Sequence, residues 1–381
     1  MIAFCVHASC GQHIFTIAES WEVMEANVAR RWSSLPVPSV QEMVKEKKFT
    51  TVPPRYVRSD LDKAEIEDEF GPKLKIPVVD VERLRSDTIM DSELEKLDFA
   101  CREWGFFQLV NHGVDSCLLD KVKAGIQALF SLPMAEKKKL WQPNSGDIEG
   151  FGQAFVVSEE QKLDWGDLFY LTMHPVGLRK AHLFSELPLP FRDTLDTFST
   201  EVKEIAKFLV AKMARALKIK PEEMEDLFND GLWQSMRMNY YPPCPQPDQV
   251  TGLTPHSDSI GLTILLQVNE VEGLQIKKDE KWVSVKPLPN AFIVNVGDIT
   301  EVITNGAYQS VEHQAMVNDE KERLSVAVFH SPGFGTEIGP ARSLVERQNK
   351  AFFRRMSTED YYNCFLSREL KGKSQLELMR M

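Results

Sequence analysis

The sequence predicts an all-β core, a sandwich or barrel, with a helical N-terminal region and a short helical tail near residues 358 to 370. Two observations lead there. From Met236 to His330 the chain is a series of short β-branched and aromatic runs, MRMNYY, LTILLQ, GLQI, WVSV, AFIVNV, VEHQAMV and RLSVAVFH, separated by Pro, Gly, Asn and Asp clusters. Such punctuation gives seven or eight strands. Before residue 234, apolar residues recur mostly at steps of three and four, the period of a helix face. The 381 residues, 43% hydrophobic and 27% charged, suffice for a full core, so one large domain, or one with a helical flank, is expected.

The elements follow in order. Prolines at 36, 38, 53 and 54 mark a lead-in arm, and Ile76 to Val81 is a short strand. Ser92-Glu93-Leu94-Glu95 has the form of a capping box, and Leu94, Leu97, Cys101 and Trp104 then fall at helical spacing, predicting a helix over 92–104 that Gly105 ends. FFQLV at 106–110 is a strand, and Asp115 caps a second helix with Leu119, Val122, Ile126 and Leu129 on one side. A third, longer helix carries Leu195, Phe198, Val202, Ile205, Leu209, Met213 and Leu217 as core. The expected division is an extension and arm at 1–49, a helical region at 50–233, the β core at 234–335 and a tail at 336–381.

A net charge of −11 argues against nucleic acid or an anionic membrane surface as the main partner. KEKK at 45–48 and EKKK at 136–139 read as solvated faces. Cys5, Cys10, Cys101, Cys117, Cys244 and Cys364 show no CxxC and no zinc spacing, which fits a reducing compartment such as the cytoplasm. No run reaches the roughly 18 apolar residues that a membrane span needs. Residues 1–23 lack a basic start and carry Glu19 and Glu22, while Met24 looks like a natural beginning, so they are read as an extension or a start-site choice, without a role in the fold.

The chemistry gathers in TPHSDSIGLTILLQ, Thr254 to Gln267, with His256 and Asp258 at the start of what reads as a strand. Residues two apart on a strand share a face, so His256 and Asp258 can present an imidazole and a carboxylate to one point. His313, 55 residues beyond Asp258, is the candidate third ligand. Two histidines and one carboxylate form the facial set of non-haem Fe(II) oxygenases, whereas catalytic zinc would want three histidines and structural zinc cysteines. Surface or core hydrogen bonding is the competing account of a lone His-x-Asp. Arg323 and Ser325 share one face of the last core strand, and an inward arginine needs an anion, either a ligand or a structural ion-pair partner. On MNYYPPCP, Asn239 and Tyr241 share a face; Tyr241 donates to the same anion or merely packs.

Taken together, NYYPPCPQP, HSD, VEH and RLS resemble the plant soluble 2-oxoglutarate- and Fe(II)-dependent dioxygenases, most of all the senescence-related branch that holds the codeine and thebaine O-demethylases. The resemblance covers about residues 50 to 370 and includes EWGFFQLVNHGV, FSLPMAEKKK, GLTILLQVNEVEGLQI and AFIVNVGD. It implies a double-stranded β-helix, or jelly roll, with His256, Asp258 and His313 binding iron and Arg323, Ser325, Tyr241 and Asn239 holding 2-oxoglutarate. It further implies a monomeric oxidoreductase that uses O2, is supported by ascorbate, and hydroxylates or O-demethylates an alkaloid or phenolic of plant specialised metabolism. An iron oxidase without 2-oxoglutarate, like aminocyclopropane-carboxylate oxidase, and a metal-free ligand-binding regulator are the alternatives.

Strand parity nominates Ala327 and Phe329, and Val311 and Ala315, as cavity walls. His112, in NHG, is expected to be a turn or hydrogen-bonding residue, and His330, at a strand end on the face opposite Phe329, is not expected to be a ligand. No spacing rule translates the sequence into a particular substrate skeleton.

Overall fold

The computed structural model describes residues 35–46, 51–59, 75–141, 149–153, 156, 158–229, 231–366 and 372–381. The extension expected at 1–23 lies outside them. Strands β1 (Val78–Asp80), β2 (Phe106–Val110), β3 (Gly150–Gly152) and β4 (Asp167–His174) precede eight more between 233 and 331. These are β5 (Trp233–Tyr241), β6 (Leu253–His256), β7 (Leu262–Gln267), β8 (Leu274–Lys278), β9 (Lys281–Ser284), β10 (Phe292–Val296), β11 (His313–Ala315) and β12 (Arg323–Ser331). The larger sheet has the order β1-β2-β10-β7-β12-β5-β4-β3, and the smaller β6-β11-β8-β9. A cavity between them draws its walls from β2, β5, β7, β10 and β12 on one side and β6, β8 and β11 on the other.

Helix α1 (Ser116–Ser131) is capped as expected: the Asp115 carboxylate accepts from the amides of Cys117 and Leu118 at 2.8 and 3.2 Å. Helix α2 (Leu189–Leu217) buries Leu195, Phe198, Val202, Ile205, Leu209, Met213 and Leu217 in the same core as β7 and β12. Full burial of each such side chain is worth roughly 1.5–3 kcal/mol, which holds the larger sheet from behind. The tail helix runs Thr358–Leu366.

Several local expectations are corrected. The first strand is shorter than 76–81 because the Asp80 carboxylate turns to accept from the Arg83 amide, capping Val81–Arg85. The next helix starts at Met90, and Ser92 is inside it, donating back to the Ile89 carbonyl at 3.0 Å. The capping box therefore does not form, and Glu93 accepts instead from the Asp80 amide, Arg83 and Lys96. After Phe99 the helix widens to a π turn, Ala100–Trp104, before Gly105 ends it at φ 61°. A Cβ at Gly105 would lie 2.3 Å from the Gln309 carbonyl oxygen, so this left-handed end admits only glycine.

Lys137 in EKKK is buried, not solvated: its Nζ donates to Gln41 and lies 3.7 Å from Glu42, pinning the arm. The 254–267 stretch is two strands with a turn between, not one. Strand β4 and a helix at Asp298–Ile303 had no sequence expectation. With β3 and β5 on its flanks and most of its residues buried, β4 lacks the polar alternation by which half-exposed strands are recognised.

Candidate active site

His256 closes β6, His313 opens β11, and the register sets them directly opposite one another, ring centres 4.3 Å apart. Asp258 lies in the turn after β6, beyond the strand. Strand parity is therefore not what brings it back; the turn is clamped to the far sheet. The Asp298 and Ile299 amides donate to the carbonyls of Asp258 and Ile260 at 2.8 and 3.1 Å, and Ser257 Oγ donates to Asp298 at 3.2 Å. Gly297 makes the approach possible, since a Cβ there would meet the Ile260 oxygen at 2.0 Å.

So held, Asp258 Oδ1 is 3.5 Å from His256 Nε2 and 3.7 Å from His313 Nε2. All three residues are buried, and their potential ligand atoms lie within 4.8 Å of one another. His256 Nδ1 faces the Thr254 carbonyl at 2.7 Å and His313 Nδ1 the Val311 carbonyl at 3.2 Å. An Nδ1–H donated to a carbonyl leaves each Nε2 lone pair free toward Asp258. The second carboxylate oxygen accepts from Thr263 Oγ1 at 2.5 Å and Asn295 Nδ2 at 2.8 Å.

Burial by itself would raise the Asp258 carboxyl, but His313, His256 and Asn295 outweigh it and hold the group below the usual carboxylate range. Burial first, and then His256, lowers His313 to about 4. The trio is thus an anion with a neutral imidazole beside it at physiological pH, the protonation state that a metal requires.

The larger sheet supplies the opposite wall. Across β5 and β12, Arg323 pairs with Tyr241, Ser325 with Asn239 and Ala327 with Arg237, and all six face the cavity. Arg323 is 2% exposed, its Nε has no hydrogen-bond partner, and no carboxylate among the described residues pairs with it. Nη2 donates to Gln267 Oε1 at 3.1 Å. Asn239 Nδ2 reaches Ser325 Oγ at 3.5 Å, leaving Asn239 Oδ1 unpartnered. Buried orphan polar atoms of this kind mark a place shaped for a ligand.

Ala315, Ala327 and Phe329 line the cavity with Phe106, Leu265 and Ile293. Val311 does not, because β11 begins only at His313, and Val311 packs aside in the cluster containing Trp104, Phe106 and Ile276. His112 accepts from the Val114 amide at 3.2 Å and meets the Asn290 carbonyl at 2.8 Å. His330 is fully buried against Gln234 and the Leu262 carbonyl, away from the cavity. Thr263 and Asn295 escaped the sequence reading; the signal was one amide within the otherwise apolar AFIVNV.

Residues 76–187 match the model of the N-terminal region of non-haem dioxygenases in morphine synthesis, and residues 232–332 that of the 2OG-Fe(II) oxygenase superfamily. Protein SRG1 of Arabidopsis thaliana is 67% identical over 94% of this chain and its own whole length. The chain belongs to the 2OG-Fe(II) oxygenase superfamily. Codeine O-demethylase of Papaver somniferum is 51% identical over 92% of this chain and 97% of its own. A crystal structure of JOX2 in complex with 2OG, Fe and JA superposes with a TM-score of 0.80 at 33% identity, covering 91% of this chain and 98% of that one. The oxygenase core is accordingly a double-stranded β-helix, and the protein an oxidoreductase. Two imidazoles and a carboxylate on one side of a point fit Fe(II), and a buried guanidinium without a carboxylate, its Nε unpartnered and the Ser325 hydroxyl on the same face, fits a dicarboxylate cosubstrate. Among the described residues, no helix is long and apolar enough to cross a membrane.

Proposed function

We propose that this oxygenase uses Fe(II), O2 and 2-oxoglutarate to hydroxylate or O-demethylate a small plant specialised metabolite. The observation that carries the reading is that the His256–Asp258–His313 trio and the unpaired Arg323 share one buried cavity. His256, Asp258 and His313 would hold the metal, and Arg323, Ser325, Tyr241 and Asn239 the cosubstrate. Bound there, iron with 2-oxoglutarate and O2 supplies the oxidation of an unactivated C–H bond, with release of succinate and CO2.

The chain's own part is geometric and electrostatic. Thr263 and Asn295 fix one oxygen of Asp258 so that the other stays with the two Nε2 atoms. Arg323 and the Tyr241 and Ser325 hydroxyls would orient a carboxylate of the cosubstrate, while Phe106, Leu265, Ile293 and Phe329 give the same cavity an apolar lining. The similarity to codeine O-demethylase supports an O-methyl ether as substrate, an alkaloid or a phenolic. We place the enzyme in the cytoplasm, as a monomer, with ascorbate supporting turnover.

Purified protein given Fe(II), O2 and 2-oxoglutarate without substrate should form succinate slowly, and His256→Ala should abolish it. No succinate from the unaltered protein, or an equal rate from the variant, would sink the reading.

A further inference from the structure

Strand β6 carries the first histidine of the trio, yet its own sheet holds it loosely. It ends the strand order beside β11, and the two register at His256–His313 and at Leu253–Ala315 with an irregularity between. Thr254 and Pro255 thus stand against the single residue Gln314, outside the regular ladder. Backbone groups left out of a ladder need partners elsewhere. Pro255 has no N–H to give, and its carbonyl accepts from the Gly372 amide at 3.0 Å. The Thr254 amide donates to a side chain instead, Asp164 Oδ1, at 2.9 Å.

Asp164 is itself well placed. The amides of its neighbours Leu163 and Trp165 donate to the Arg55 and Thr251 carbonyls at 3.0 and 2.8 Å, tying the segment to the arm on one side and to the approach of β6 on the other. Asp164 Oδ1 also accepts from Thr254 Oγ1 at 2.6 Å. Arg58 Nη1, from the arm, donates to that same hydroxyl at 2.5 Å and lies 3.7 Å from the carboxylate. Thr254 is therefore fixed at both its amide and its hydroxyl. Its carbonyl is the acceptor on which His256 Nδ1 rests at 2.7 Å. His313 rests on the Val311 carbonyl at 3.2 Å, a contact that does not pass through Asp164.

We infer that Asp164, joined to Arg58 across the Thr254 hydroxyl, is a positioning residue for the metal site. It stands in for the missing strand neighbour, fixes the Thr254 carbonyl, and so sets the direction in which His256 offers Nε2. This rests on the oxygenase reading above and extends it to two residues outside the cavity lining. Partners that orient a ligating imidazole through its second nitrogen are worth roughly 10- to 100-fold in metal affinity.

The test uses full-length protein with 15N-labelled histidine, loaded with Zn(II) as a diamagnetic probe of the trio. NMR follows the exchange of each Nδ1–H with solvent, His313 being recognised by its contact with the Phe106 ring. Asp164→Ala should speed exchange at His256 and weaken Zn(II) binding, each about 10-fold or more, and leave exchange at His313 unchanged. Asp164→Asn keeps an acceptor for the Thr254 amide and should bring both quantities back to within about 3-fold of the parent. Parental exchange and affinity in Asp164→Ala overturn the inference, as does a variant in which both histidines loosen alike, the mark of a merely structural role. Should Asp164→Ala not fold, Arg58→Met and Thr254→Val carry the same test, and each must single out His256. An unaltered protein that takes up no metal at the trio strikes the oxygenase reading first, and this inference falls with it.

Discussion

Arg323 sits directly across the β5–β12 ladder from Tyr241, its guanidinium carbon 5.4 Å from the centre of the phenol ring. The phenol thus covers one face of the fork while its unpaired Nε remains available in the cavity. A charge-assisted pair in such a site is worth roughly 1.5–3 kcal/mol, so Arg323→Met should weaken 2-oxoglutarate binding on the order of 100-fold. Lysine keeps the charge but loses the fork, and should recover about a tenth of the affinity. Isothermal titration of the two variants checks both; unchanged affinity would place the anion elsewhere.

Asn295 tests the support of the metal site. Its amide donates to Asp258 Oδ2 at 2.8 Å, from the sheet opposite the two histidines. Removing it frees the carboxylate to rotate without removing a ligand atom. Asn295→Ala should lower Fe(II) affinity about 10- to 100-fold while leaving the fold intact, read by metal competition alongside circular dichroism.

Gly297 tests the clamp on the Asp258 turn. A methyl group there would fall 2.0 Å from the Ile260 oxygen and 3.0 Å from that of Asp258, both backbone atoms that cannot swing aside. Gly297→Ala should therefore cost about 2 kcal/mol or more in stability and also weaken metal binding, because relief of the clash moves the ligand. A melting temperature equal to that of the parent would refute this.

His330 governs part of the acid response. Burial, offset only in part by the Leu262 carbonyl, pushes it down to about 3, so the folded protein holds it neutral while the unfolded chain protonates it near 6.5. The unfolded state then binds the proton first as pH falls. Stability present above about pH 6.5 is lost toward pH 3, on the order of 4 kcal/mol at the limit. His330→Gln should be less stable at pH 7 but show a flatter decline between pH 6.5 and 4, measured by urea unfolding.

Much of the site was legible because strand parity is a local rule. Ser325 lies two residues from Arg323 and Asn239 two from Tyr241, and a strand of any register puts each pair on one face. The same rule missed where the strand was not there: Asp258 lies in a turn, and Val311 precedes β11. The helix that begins at Met90 failed for a related reason, since Ser92 and Glu93 fit a capping box locally but Glu93 is drawn to Asp80 and Arg83. Lys137 was misread because composition alone makes a lysine run look solvated, and only the arm packed over it shows otherwise.

The sequence by itself determined the strand-rich second half, the buried stripe of the long helix, and the order of two imidazoles, a carboxylate and an Arg-x-Ser pair. Those follow from period and residue chemistry, which act over a few neighbours. Only the tertiary structure decided that β6 and β11 pair so that His256 faces His313, that Thr263 and Asn295 cross from the other sheet to orient Asp258, and that Arg237 lines the same cavity as Arg323. These are contacts between strands far apart in the chain, and the register that sets them is chosen by the burial of the whole sheet.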